Sequence, residues 1–226
     1  MLIFIHGSGF TGDAFRKQLP VFAGSIAPNL PGHAAHGGAS SVADFGNFIE
    51  AFIEEHKLHE VTLCGNSLGG AVALEVALRK NPTVRSLVLL GSGARLRVAP
   101  KILAGLRTDF HRTIQEIAKM LYADPSDEQI AYAVAAMRRV GPAQTLADYE
   151  ACNAFDVMER LGEIALPVLA IMGERDVMTP PKYGEFLASR VRNGKARIVS
   201  DAGHLVMVEQ PAETNAAIAE FLTQRA

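Results

Sequence analysis

Residues 60–80 read EVTLCGNSLGGAVALEVALRK. An apolar run, Val61 to Cys64, leads into Gly65-Asn66-Ser67-Leu68-Gly69, and an Ala/Leu/Val-rich stretch follows that stops before Pro82. A change from strand to helix at a single serine predicts a sharp, strained turn that holds the hydroxyl clear of the sheet. The residues two positions either side must then be small, so Gly65 and Gly69 serve packing and not chemistry. Gly70 lets the new helix lie close to the sheet. The five-residue pattern arises by chance in glycine-rich chains, so its weight rests on the strand before it and the helix after it.

The same alternation extends in both directions. LIFI (2–5), GSIAPNLPGH (24–33), EVTLCG (60–65), VRSLVLLG (84–91), ALPVLAIMG (165–173) and ARIVS (196–200) read as strands. Most lack polar alternation, which suits strands buried on both faces of a parallel sheet. Helices are expected over 42–56, 67–80, 181–191 and 211–223, the first with Ser41 as N-cap and Asp44 as its partner. The fold class is α/β: a mostly parallel sheet of about six strands with helices on both faces. Residues 94–163 break the rhythm with no strand and read as four or so helices, one starting at Asp124-Pro125. We expect residues 1–93 and 164–226 to form the core, and 94–163 an all-helical lid inserted between two core strands.

Composition narrows the function. A chain of 226 residues supports one well-buried core. A net charge of −2 gives no basic surface for nucleic acid. No run approaches the ~18 apolar residues of a membrane span, so no membrane insertion is expected. The apolar start MLIFI is short and lacks a basic flank, so a cytoplasmic enzyme is the expectation. Cys64 and Cys152 have neither disulfide nor metal spacing, and no metal or organic cofactor is implied.

A serine that attacks an ester needs a base, a group that orients the base, and donors for the oxyanion. His204, in SDAGHLVMVEQP after the last strand, is the candidate base, and Gly203 leaves its ring room to swing. His33 and His36 sit in the PGHAAHGG loop and read as solvated or locally hydrogen-bonded. The orienting acid should end the preceding strand, in VLAIMGERDVMTP, where Asp176 is preferred and Glu174 is the alternative. One oxyanion donor is the N–H of Leu68, at the start of a helix; the other comes from HGSGFTG, with Ser8 preferred over Gly9. His6 reads as a structural hydrogen-bonder.

Taken together, IHGSGFTG, NLPGH, GNSLGG, GERDVMTP and AGHLVMVEQP resemble the α/β-hydrolase superfamily in order and spacing, over nearly the whole chain. They look like its lid-bearing serine esterase and thioesterase branch. The resemblance implies Ser67, Asp176 and His204 as a triad and Ser8 and Leu68 as oxyanion donors. It also implies two further strands ahead of the His-Gly strand, for which this sequence has no room.

The inserted segment should set specificity. Gly9, Phe10, His111, Met120, Met137, Phe155, Val177 and Leu205 are candidate substrate contacts, and an apolar acyl group of small to medium size fits them. Arg95, Arg97, Lys101, Arg107 and Arg112 form a local basic bias that reads either as a solvated helix face or as an anion site, such as one for the phosphates of a coenzyme A moiety. The leading expectation is therefore a carboxylesterase acting on a small-molecule ester. A thioesterase follows, then a carbon–carbon hydrolase or a non-enzymatic small-molecule receptor. The protein is expected as a monomer or a homodimer.

Overall fold

The computed structural model describes residues 1–34 and 37–224, so His36 lies outside the described residues. Five strands form one parallel sheet in the order β1-β2-β3-β4-β5: Leu2–Ile5, Val61–Asn66, Val84–Leu90, Pro167–Gly173 and Asn193–Val199. About six were expected. The segment at 24–33 contributes only a single bridge, Ile26 to Ile3, through Phe4 N–H to Ile26 O (2.8 Å) and Ile26 N–H to Leu2 O (3.1 Å). Pro28 and Pro31 follow at once, and a residue without an N–H cannot extend a ladder.

Side chains alternate across the strands with a period of two. Ile3, Ile5, Leu63, Leu87, Leu89 and Val168 face one core, with α1 (Val42–Glu55), α2 (Leu68–Leu78) and Leu187 of the helix between β4 and β5. Leu2, Phe4, Cys64, Val88, Leu90, Leu169 and Ile171 face a second core, with Phe15, Val206, Ile218 and Phe221. Adjacent parallel strands joined by right-handed crossovers place their helices on one side, as α1 and α2 lie here. Ser41 caps α1 by accepting from Asp44 N–H at 3.1 Å.

Between β3 and β4 run α3 (Pro100–Thr108), α4 (Phe110–Met120), α5 (Asp127–Val140) and α6 (Pro142–Ala154). α5 starts beyond Asp124-Pro125, with Ser126 as its N-cap, because Ser126 and Gln129 form a reciprocal capping box that satisfies two backbone donors. The two ends of this helical segment pair with each other: Val157 N–H donates to Ala94 O at 2.8 Å and Leu96 N–H to Phe155 O at 3.4 Å. The remaining helices are α7 (Lys182–Arg190), α8 (Val206–Glu209) and α9 (Pro211–Gln224). Among the described residues no helix is long and apolar enough to cross a membrane.

Candidate active site

Ser67 stands between β2 and α2 with φ 52° and ψ −113°, a left-handed conformation that costs a non-glycine residue on the order of 1–3 kcal/mol. Its surroundings hold it there. Its N–H donates to Leu90 O at 3.0 Å, and its carbonyl accepts from Ser92 Oγ at 2.8 Å. Its side chain is half-buried, at the wall of a cavity of about 170 Å³ that His204 also lines.

The histidine is locked from behind. His204 Nδ1 lies 2.9 Å from Asp176 Oδ2 and 3.1 Å from Thr179 Oγ1, while Thr179 spends its own hydroxyl proton on Asp176 Oδ2 at 2.7 Å. Both neighbours of Nδ1 are therefore acceptors. The neutral ring carries its proton on Nδ1 and leaves Nε2 as the free base. Asp176 Oδ1 accepts from the N–H groups of Met178 (2.8 Å) and Thr179 (2.9 Å). Burial pushes the Asp176 carboxyl up, but the His204 charge and hydrogen bond, with the Thr179 bonds, outweigh it and hold the group below the usual carboxylate range.

The loop after β1 also lines this cavity, through Gly7, Ser8 and Phe10. Gly9 N–H is already engaged, donating to Asp148 Oδ2 at 2.9 Å. Among the described residues no acceptor engages the N–H groups of Ser8 or Leu68. Ser8 and Ser67 line the same cavity. His6 is buried beneath this loop, accepting from Leu30 N–H at Nε2 (3.0 Å) and donating from Nδ1 to Gly7 O (3.0 Å). Burial and the charge of His33 push its pKa down to about 3, so it stays neutral and structural.

A strained serine at a strand-to-helix turn thus shares one cavity with a histidine that is backed by an aspartate from the end of the neighbouring strand β4. The model of the alpha/beta hydrolase family matches residues 2–217. The chain belongs to that family. It is 30% identical over 223 residues to a pimeloyl-(acyl-carrier protein) methyl ester esterase of Neisseria meningitidis serogroup B, covering 88% of this chain and 84% of that one. A like-named esterase of Vibrio vulnificus is 27% identical, with 93% and 89% covered. Among solved structures, a thermophilic esterase is 31% identical with a TM-score of 0.89, covering 100% of this chain and 90% of the other.

In this alpha/beta hydrolase the expected contacts divide. Phe10, Met120, Val177 and Leu205 line the cavity together with Ser8, Ser67 and His204. Met137 does not: it is fully buried, and its side chain packs where a Cβ on Gly9 would stand, 2.6 Å from Met137 Cγ. Phe155 is buried in the core at the end of α6, and His111 is exposed, edge-on to Phe110. Of the five cations, Arg97 lines the cavity. Arg95 pairs with Asp156, Arg107 with Glu150 and Arg112 with Glu116, while Lys101 is exposed on α3. His33 is not solvated: it is buried, with a local bond from Nδ1 to Pro31 O and a distant one from Nε2 to Asp148.

Other residues at the site carry no motif of their own. Asn66 Nδ2 donates to Leu90 O (3.0 Å) and His204 O (3.4 Å), joining the serine turn to the histidine loop. Glu209 accepts from Ala123 N–H and Gly203 N–H, each at 2.8 Å. Gly203 is a close-packing position, since a Cβ there would lie 2.6 Å from Ala123 N, and not a hinge for the ring.

Close approach also explains the glycines of the turn. A Cβ on Gly65 would sit 2.1 Å from Gly69 O, and one on Gly69 2.0 Å from Ile5 O, both backbone atoms that cannot swing aside. Gly65→Ala should therefore destabilise the protein by about 1–3 kcal/mol or more. Gly162→Ala, where nothing lies within 4 Å, should leave it unchanged or slightly more stable. Thermal melts of the two variants check this; equal melting temperatures would refute the packing account.

Proposed function

We propose that the protein is a serine carboxylesterase acting on esters of small to medium apolar acyl groups through an acyl-enzyme. The observation that supports this reading is the cavity lined both by the strained Ser67 and by a histidine whose Nδ1 is hydrogen-bonded to Asp176. The esterase relatives and the thermophilic esterase support ester hydrolysis as the class of reaction.

In the proposed path, Ser67 Oγ attacks the ester carbonyl and passes its proton to His204 Nε2, while Asp176 holds the imidazolium. The developing oxyanion takes the N–H groups of Ser8 and Leu68, the second reinforced by the α2 N-terminus. Collapse expels the alkoxide, which takes the proton from Nε2. A water then repeats the sequence and frees the acid. Residues 94–163 serve as the lid, and Ile102, Ile117, Met120 and Leu121 supply the apolar wall.

A second reading rests on Arg97, which lines both this cavity and an outer groove shared with Leu103 and Arg107. No ion pair engages Arg97 among the described residues. It suits a thioester whose leaving half carries phosphate, such as a coenzyme A moiety. A panel of p-nitrophenyl esters, alkyl esters and acyl-CoA thioesters with matched acyl chains decides between them. The esterase reading expects the esters to give the higher kcat/KM, with Arg97→Ala changing little. Preference for acyl-CoA that is lost in Arg97→Ala would transfer the assignment to thioesters, and no turnover of any member would remove the enzyme reading.

A further inference from the structure

Asp148 is a carboxylate of α6 with no solvent exposure and no part in the path above. Burying a charge costs several kcal/mol unless it is paired and hydrogen-bonded. Here both oxygens are hydrogen-bonded. Oδ2 accepts from Gly9 N–H (2.9 Å) and His33 Nε2 (2.8 Å), and Oδ1 accepts from Gln144 Nε2 (2.9 Å). His33 Nδ1 faces Pro31 O at 3.0 Å, so both ring nitrogens face acceptors. Gln144 gives its other amide proton to Ala39 O at 2.8 Å. Gly32, at φ +83°, leaves no space for a side chain against Gln144, whose Oε1 would lie 2.1 Å from a Cβ.

These contacts converge on the loop after β1. The Gly9 nitrogen belongs to the peptide unit that begins at the Ser8 carbonyl. One helical turn beyond Asp148, Cys152 Sγ lies 3.5 Å from Ser8 Oγ, so a single face of α6 holds both residues. An apolar residue at 148 would fill the space, but it would leave the Gly9 N–H buried and unsatisfied and the peptide plane free to turn. A carboxylate supplies a short, directional bond to that N–H and removes it from competition for the substrate oxygen.

We propose that Asp148 is a positioning residue: by clamping the Ser8–Gly9 peptide it fixes the Ser8 backbone from its C-terminal side, while His6 Nδ1 and Phe10 N–H hold Gly7 O on the other, so that the N–H of the intervening Gly7–Ser8 peptide faces the cavity, with His33 as the buried hydrogen-bond partner of Asp148. The proposal rests on the reading of Ser8 as an oxyanion donor. It also means that α6, part of the inserted helices, fixes one half of the oxyanion site.

The double variant Asp148→Leu/His33→Leu removes both partners together, so neither is left buried and unpaired. Its kcat should fall on the order of 10²-fold, the scale of losing one oxyanion donor, with KM little changed. Affinity for a trifluoromethyl ketone, which forms a tetrahedral adduct on the serine, should fall by the same factor as kcat/KM, while product binding holds. Asp148→Asn keeps the shape and carries the test if the double variant does not fold. Exchanging a charged acceptor for a neutral one roughly halves the bond strength, so kcat and ketone affinity should fall together by a few-fold. In ¹⁵N-glycine-labelled protein the Gly9 amide proton should move upfield. Unchanged ketone affinity and an unmoved Gly9 amide, in a folded variant of lowered melting temperature, would overturn the proposal. Fluorophosphonate labelling separates this from a failure of the site itself: label on wild type and none on Ser67→Ala upholds the site whatever Asp148 does, whereas equal label on both removes the site and the proposal with it.

Discussion

Ser67→Ala should lower kcat by on the order of 10⁶, and His204→Ala should do the same. The two act as a unit. Without the hydroxyl there is no nucleophile for the histidine to activate, and without Nε2 the hydroxyl keeps its proton at neutral pH. The double variant should therefore be no worse than either single one, leaving a residual rate of about 10³–10⁴ over water from the donors and binding alone. Neither change should unfold the protein. Ser67 is half-buried, and alanine relieves none of the φ 52° strain but adds no bulk. Steady-state turnover of a p-nitrophenyl ester, with melting temperatures alongside, is the measurement. A Ser67→Ala enzyme within about tenfold of wild type would place the nucleophile elsewhere.

The parts legible in the sequence are those where one backbone event demands particular residues. A strand that ends in a serine and continues as a helix needs small neighbours, and Gly65 and Gly69 are pressed against carbonyl oxygens at 2.1 and 2.0 Å. The alternation of apolar runs and helical segments likewise gave the parallel sheet. It overcounted at 24–33, because apolar residues around Ile26 suggest a strand while Pro28 ends the ladder after one bridge. Apolar periodicity in the inserted helices also could not say which neighbour a residue meets. Met120 reaches the cavity, whereas Met137 fills the space beneath Gly9.

Polar residues that act at a distance left no local trace. Ser92 holds the carbonyl of Ser67 from 25 positions away, and Asn66 reaches His204 O across 138. Asp148 sits in a helix of mixed composition, and its partners, His33 and Gly9, are 115 and 139 positions distant. A histidine in a glycine-rich loop looks solvated until the fold lays α6 over it. What the sequence conveys well is backbone geometry; what it conveys poorly is where the fold closes a polar contact.

Asp176→Asn should cost on the order of 10⁴ in kcat while leaving the site's shape intact. The direction follows from the hydrogen bonds. Two backbone N–H groups, from Met178 and Thr179, point at Oδ1 and require an oxygen there. The new amide nitrogen must then occupy the Oδ2 position, 2.9 Å from His204 Nδ1 and 2.7 Å from Thr179 Oγ1. An N–H facing Nδ1 forces that nitrogen to accept, so the proton moves to Nε2 and the base facing Ser67 is lost. The same change should alter stability with pH. The wild-type carboxyl titrates below its unfolded value of about 3.9, so its contribution is present above that pH and is lost as pH falls through the lower, folded value. Asparagine cannot titrate, and the stability gap between the two proteins should narrow as the pH drops below about 4. Denaturant unfolding from about pH 2 to 6, which spans that titration, with kcat measured near neutral pH on the same preparations, tests both halves. A gap that stays constant with pH would mean that Asp176 is not held ionised by His204 and Thr179, and an unimpaired kcat would mean that another group orients the histidine.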